Sequence, residues 1–134
     1  MENNIGLLVI GHGSSLPYNK EVVSAVADMI AKNNENAVVK TAFLNIDTPT
    51  LQEGLKSFEG TGVNKIVALP CFLAQGVHSM QDIPQILGIN EGDNRTMIQL
   101  SGDDIELVYA KPLGADPCIA VIALKRIADA LQEQ

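Results

Sequence analysis

Apolar residues along this chain come in short dense runs, separated by stretches with helical spacing. Residues 5–10, 37–44, 65–72 and 105–110 are rich in Ile, Val, Leu and Ala, without strict alternation of apolar and polar positions. A strand with one wet face alternates, so these runs predict strands covered on both faces. Between them the apolar positions follow a helical period. In "NKEVVSAVADMIAKN" Val22, Val23, Val26, Ala27 and Ile30 fall on one face. "TPTLQEGLKSFEG" repeats the theme with Leu51, Leu55 and Phe58, with Thr48 or Thr50 near the cap, Pro49 near the first turn and Gly60 as a stop. A last helix is expected from about 117 to 131, with Leu124, Ile127, Ala128 and Leu131 facing inward. Segment 88–104, "GINEGDNRTMIQLSGDD", mixes turn formers with a brief apolar patch and reads as a loop or a short helix.

Strand–helix–strand alternation over 134 residues predicts one α/β domain, 1–134, built on a parallel four-stranded sheet with right-handed crossovers. There is no internal repeat. Hydrophobic residues at 46% against 19% charged ones argue for a packed globular fold rather than disorder. Aromatics are only 4%, so the core must come from Ile, Leu, Val and Ala. The apolar run near the start is far shorter than a membrane span and lacks the flanks of a signal peptide, so a cytoplasmic protein without a membrane segment is expected. Cys71 and Cys118 are then expected to be small buried apolar residues. The net charge of −7, with basic residues scattered and few aromatics to stack bases, argues against nucleic-acid binding.

The candidate chemistry lies in the two histidines. His12 stands in "IGHGSSLPYNKE", directly after the first strand, between two glycines. His78 stands in "FLAQGVHSMQDIP", on the loop after the third strand. In parallel sheets ligands bind beyond the carboxyl ends of the strands, which places both imidazoles at one edge. Two neutral imidazoles with open positions suit Co²⁺, Ni²⁺, Fe²⁺ or Zn²⁺, and two ligands alone would hold such an ion loosely. Histidine is also the side chain best poised to take protons near neutral pH. A hydrolase built on Ser14 or Ser15 lacks the G-x-S-x-G elbow, and "GHGS" lacks the Lys-Ser/Thr ending of a P-loop. Asp82 has two readings, a helix cap, which is favoured, and a partner that orients a ligand histidine.

"GHGSSLPYNKEVV", "AFLNIDTPTL", "LPCFLAQGVHSMQDIP" and "YAKPLGADPCIAVI" together resemble the small sirohydrochlorin metal chelatases. These are the short archaeal form of the cobalt chelatases of cobalamin synthesis, also linked to nickel insertion for the tetrapyrrole of methane-producing organisms. The resemblance implies a chelatase-like three-layer α/β domain, with helices on both faces of its sheet, that works as a homodimer. It implies an enzyme that inserts Co²⁺ or Ni²⁺ into sirohydrochlorin without ATP, needing no cofactor beyond the substrate metal. His12 would be metal ligand and proton acceptor, and His78 the other metal ligand. Leu73, Ala74, Gln75, Gly76, Val77 and His78 would line the tetrapyrrole. The chain departs from the family pattern where Glu-x-x-Glu-Pro is common: Asn45 and Thr48 stand in place of the carboxylates. Thr48 then keeps only a hydroxyl for substrate contact, Asp47 next to it could substitute from a turn, and Lys20 is a candidate attractor for the substrate's carboxylates. A non-catalytic carrier of metal or tetrapyrrole, and a sirohydrochlorin ferrochelatase, are the competing readings.

Overall fold

The computed structural model describes residues 4–133, apart from the side chains of Ser79 and Met80. Strand β1 (Ile5–Gly11) leads to helix α1 (Tyr18–Lys32), and β2 (Ala37–Phe43) to a short α2 (Leu51–Lys56). Strand β3 (Lys65–Pro70) is followed by a π-helical turn (His78–Asp82) that runs straight into α3 (Ile83–Leu87). A hairpin of β4 (Arg95–Leu100) and β5 (Asp103–Tyr109) precedes α4 (Pro117–Gln132).

The sheet has five strands in the order β2-β1-β3-β5-β4, not four. Strands β1, β2, β3 and β5 run parallel, and β4 pairs antiparallel with β5 along the edge. The segment expected as a loop or short helix therefore holds a strand. Its physical signature is a two-residue turn, Ser101 at φ +52° and Gly102 at φ +83°. Positive φ at both central residues gives a turn whose twist matches a tight hairpin. The strand before it alternates exposed and half-buried residues, as an edge strand with one wet face should.

One face of the sheet packs Leu8, Ile10, Ile66 and Leu107 against Leu51, Phe58, Ile83 and Leu87. The opposite face packs Val9 and Phe43 against Val23 and Ala27 of α1. Val22, expected on the inner face of that helix, is exposed, because the buried stripe runs through Val23 and Ala27 one position on. Of the two candidate caps for α2, Thr50 is the one used. Its Oγ1 accepts from the Glu53 amide at 3.2 Å, while Glu53 Oε1 accepts from the Thr50 amide at 2.8 Å, a reciprocal capping box.

Helix α4 departs most from expectation. None of its side chains is buried, and Leu124, Ile127 and Leu131, expected to face inward, are 63%, 55% and 70% exposed. Ala128 is exposed too. The chain leaving β5 is pinned across the end of β3, with the Ala110, Leu113 and Gly114 amides donating to the carbonyls of Ala68, Phe72 and Leu73 at 2.8–2.9 Å. It carries α4 off the sheet. Cys118, in the first turn of α4, is consequently exposed rather than buried, and Cys71 is half-buried, its thiol pKa pushed up by burial. Among the described residues no helix is long and apolar enough to cross a membrane.

Candidate functional site

The parallel register of β1, β2 and β3 brings the loops that follow them to one end of the sheet. There the backbone of β1 stays laced to both neighbours past the end of the regular strands. Leu44 donates to the Gly11 carbonyl and Asn45 to the His12 carbonyl, each at 3.0 Å, while Cys71 donates to Ile10 at 2.7 Å from the other side. His12 is thus held by main-chain bonds at the last laced position of the strand.

The turn after it is fixed as tightly. Gly13 has φ +84°, and a Cβ there would lie 1.8 Å from the Asn45 carbonyl oxygen, so no other residue fits. Its amide donates to Asn19 Oδ1 at 2.9 Å, and the Ser14 amide donates to Asp47 Oδ2 at 3.0 Å. Ser14 Oγ accepts from the Leu16 amide at 3.2 Å, which makes it a turn-forming hydroxyl. Asp47 does lie in a turn, as the sequence allowed, and its carboxylate serves the His12 loop.

The two imidazoles meet. Their ring centroids lie 5.4 Å apart at an interplanar angle of 76°, edge to face. The other flank of His12 is covered by Phe72, stacked at 3.8 Å between centroids and 18° from parallel. Phe72 is itself buried, so it anchors the ring to the core. Burial of the His12 ring, and then the proximity of His78, lower its pKa below the ordinary 6.5. His12 is therefore neutral over a wider pH range than a free histidine, with its lone pair available.

His78 opens the π-helical turn, and its Nδ1 lies 2.7 Å from Asp82 Oδ2. A carboxylate only accepts, so Nδ1 carries the proton and Nε2 keeps the free lone pair. This corrects the favoured reading of Asp82: its side chain caps no helix amide and instead orients His78. The π-helical turn makes that pairing continuous with α3, so no separate helix start exists there to be capped.

Leu73, Ala74, Gln75, Gly76 and Val77 form an exposed bridge from Phe72 to His78. Ile46 and Leu16, on the loops after β2 and β1, are also exposed. Thr48 is exposed on the loop whose Asn45 and Asp47 bind the His12 turn, but among the described residues no hydrogen bond joins it to either imidazole. Lys20 Nζ lies 5.8 Å from the Phe43 ring centroid, over an aromatic of the α1–β2 wall. Among the described residues, no cluster of three or more histidine, cysteine or carboxylate side chains offers a closed metal cage. The arrangement is an open, largely apolar platform with a pair of imidazoles at its edge. It can bind a flat ligand, hold a divalent ion weakly, and take up a proton.

Phe72 and the Asp47–Ser14 bond escaped sequence reasoning. Nothing in the order of residues announces the bond, which links positions 33 apart. The His78–Asp82 pair did leave a signal, the i, i+4 spacing that places two side chains on one flank of a helix.

A family model described as CbiX matches residues 6–130. The chain belongs to the CbiX family. A relative named sirohydrochlorin cobaltochelatase from Methanosarcina acetivorans is 50% identical over 131 residues, covering 98% of this chain and 100% of the relative. A second of the same name, from Methanosarcina barkeri, is 49% identical with the same coverage. Among solved structures, the sirohydrochlorin chelatase SirB from Bacillus subtilis subspecies spizizenii, in complex with cobalt, aligns with a TM-score of 0.75 at 22% identity. At that identity the likeness is one of fold. The alignment covers 94% of this chain and 50% of SirB, so this CbiX chain corresponds to about half of that larger chelatase.

Proposed function

We propose that this CbiX chain is an enzyme that inserts Co²⁺ or Ni²⁺ into sirohydrochlorin, without ATP and with no cofactor beyond the substrate metal. The observation that carries the reading is the edge-to-face pair of His12 and His78, one ring backed by Phe72 and the other tethered by Asp82, on an open apolar platform. The names of relatives about half identical over their whole length support the substrate.

The tetrapyrrole lies against the loop 73–77, and Thr48 contacts it from the β2 side. The divalent ion, a substrate, rests on the free nitrogens of His12 and His78. Two ligands hold it loosely enough to let it go. Insertion exchanges two pyrrole N–H protons for one divalent ion. As the ion leaves His12 for the macrocycle, the freed lone pair of this neutral ring accepts one departing pyrrole proton and returns it to water, and the second proton passes directly to water at the open platform. The ion then passes to the four ring nitrogens. The chain acts as a homodimer in the cytoplasm. Pairing is supported by its correspondence to half of a larger chelatase.

A second reading, a carrier that binds metal or tetrapyrrole without turnover, draws on one feature. Asn45 and Thr48 bring no carboxylate, and the carboxylate between them in the chain, Asp47, is engaged by the Ser14 amide. The deciding experiment is anaerobic: purified protein, sirohydrochlorin and Co²⁺ or Ni²⁺, following tetrapyrrole absorbance, with His12→Ala and His78→Ala in parallel. Multiple turnovers lost in both variants establish the chelatase. Tight tetrapyrrole binding with no gain over the uncatalysed rate establishes the carrier.

A further inference from the structure

Residue 46 goes against two rules of folding at once. Among the described residues, the non-glycine positions with positive φ are Asn4, Ile46 and Ser101. Asn4 and Ser101 are small and polar. Ile46, at φ +65°, is branched at Cβ, and in the left-handed region that Cβ crowds the carbonyl oxygen that follows it. The Asp47 amide donates to the Asn45 carbonyl at 2.6 Å, which makes Ile46 the centre of a three-residue turn of the rare, positive-φ kind. Its side chain is 73% exposed, more than any other large apolar side chain among the described residues. The fold gains little packing from this isoleucine, and a glycine would take the same backbone conformation freely.

The strained turn is held from both ends. The Asn45 amide donates to the His12 carbonyl, and the Asp47 carboxylate accepts from the Ser14 amide, each at 3.0 Å. The turn thus grips the His12 loop on either side of Gly13, and Ile46 is the residue between the two grips. Strain that the surroundings over-determine in this way clusters at ligand clamps. The sheet order shows what stands across from it. Strand β1 lies between β2 and β3, so His12 emerges between the loop of Ile46 and the loop 73–77. That second loop leaves Leu73 and Val77 exposed. Bare apolar side chains therefore flank His12 on both sides.

We propose that Ile46 is a substrate-binding residue, an apolar jaw set across His12 from Leu73 and Val77, on which the flat face of the tetrapyrrole rests. This rests on the proposed function and adds the residue that seats the macrocycle from the β2 side. Asn45 and Thr48 bring no charge there, so Ile46 contributes by burial of apolar surface rather than by ion pairing. A turn locked in one conformation presents the side chain already placed, which leaves little ordering to be done on binding.

Anaerobic titration of the full chain into metal-free sirohydrochlorin, followed by tetrapyrrole fluorescence, tests this with three variants. Ile46→Gly removes the side chain and relaxes the turn. Ile46→Asn keeps a side chain that the left-handed region accepts but not its apolar surface. Ile46→Leu keeps the apolar bulk. Thermal unfolding is followed on the same samples. Ile46→Gly and Ile46→Asn are expected to raise the dissociation constant roughly 10-fold or more, the effect of one aliphatic side chain no longer buried on binding. Both are expected to melt at or above the wild-type temperature, since each relieves the left-handed strain. Ile46→Leu is expected to bind close to the wild type. The ratio of affinities is expected to be the same at low and high salt, where an ion pair would fade. Affinity lost without stability is a combination that a purely structural residue does not give. Wild-type affinity in Ile46→Gly, or a loss of affinity that follows a lowered melting temperature, overturns the role of Ile46 and leaves metal insertion standing. A wild type that binds no sirohydrochlorin overturns the proposed function and this role with it.

Discussion

The carboxylate of Asp82 lies 2.7 Å from Nδ1 of His78, one π-helical turn further along the chain. That contact places the proton on Nδ1 and leaves Nε2 as the nitrogen the proposed function assigns to the metal. Removing it in Asp82→Ala frees the ring to rotate and to take the other tautomer, and the expected loss in Co²⁺ affinity is about 10- to 100-fold. Asp82→Asn keeps an oxygen acceptor and is expected to lose less. Anaerobic calorimetric titration of Co²⁺ into both variants checks the order. Equal affinities for wild type and Asp82→Ala would remove Asp82 from the site.

His12 titrates below 6.5, because burial and the neighbouring His78 disfavour its charged form. Its capacity to take a proton from the substrate is therefore expected to persist below pH 6.5, with the acid limb of turnover displaced to lower pH. The same shift bears on stability. The unfolded chain binds this proton more readily, so the contribution of His12 to folding is complete above pH 6.5 and falls away as the pH drops toward its folded value. Proton NMR of the two imidazoles reads the pKa directly. In His78→Ala the His12 value is expected to move back up, though not fully, since burial is the larger cause.

Phe72 joins the site to the core, and its replacement separates two effects. Phe72→Ala is expected to cost about 3–5 kcal/mol by cavity formation, read by urea denaturation. Phe72→Leu keeps most of the volume and costs less, but it removes the stacked face over His12. In the leucine variant the His12 pKa is expected to rise toward 6.5. An unchanged His12 titration there would show that the stack contributes nothing to the ring's environment.

Gly13→Ala is expected to damage the His12 turn more than its size suggests. It forces a side chain into the left-handed region, at about 1–2 kcal/mol, and sets a methyl group 1.8 Å from the Asn45 oxygen. The Asn45–His12 backbone bond must then open. Asp47→Ala removes only the carboxylate that receives the Ser14 amide, at about 1–3 kcal/mol. Both are expected to lower the melting temperature, Gly13→Ala the more. A Gly13→Ala protein with wild-type stability and turnover would contradict the laced geometry described above.

Much of this fold was legible before the structure. The Ile/Val/Leu runs marked β1, β2, β3 and β5 because parallel strands in the body of a sheet carry apolar residues on both faces and leave a continuous apolar signal. Strand β4 escaped because an edge strand buries one face only and its short apolar patch sits among turn residues. The Ser101–Gly102 turn was the missed cue. For α4 the pattern revealed an apolar helix, but the inward face expected of it is exposed. The histidines were legible from their place after β1 and β3. The surroundings of His12 were not, because Phe72, Asn45 and Asp47 reach it across the fold and leave no local periodicity.

The π-helical turn between His78 and Asp82 has a consequence for how this sequence can drift. A helix turns by about 100° for each residue. Losing or gaining one position between the loop 73–77 and α3 would swing His78 around the helix axis, away from His12 and from Asp82, while Ile83 and Leu87 stayed locked in the core. No change of side chain elsewhere would bring the imidazole back. Outside His78 and Asp82 themselves, the register of this stretch is held by its length, so a single-residue insertion or deletion there displaces the site even when every functional side chain is kept.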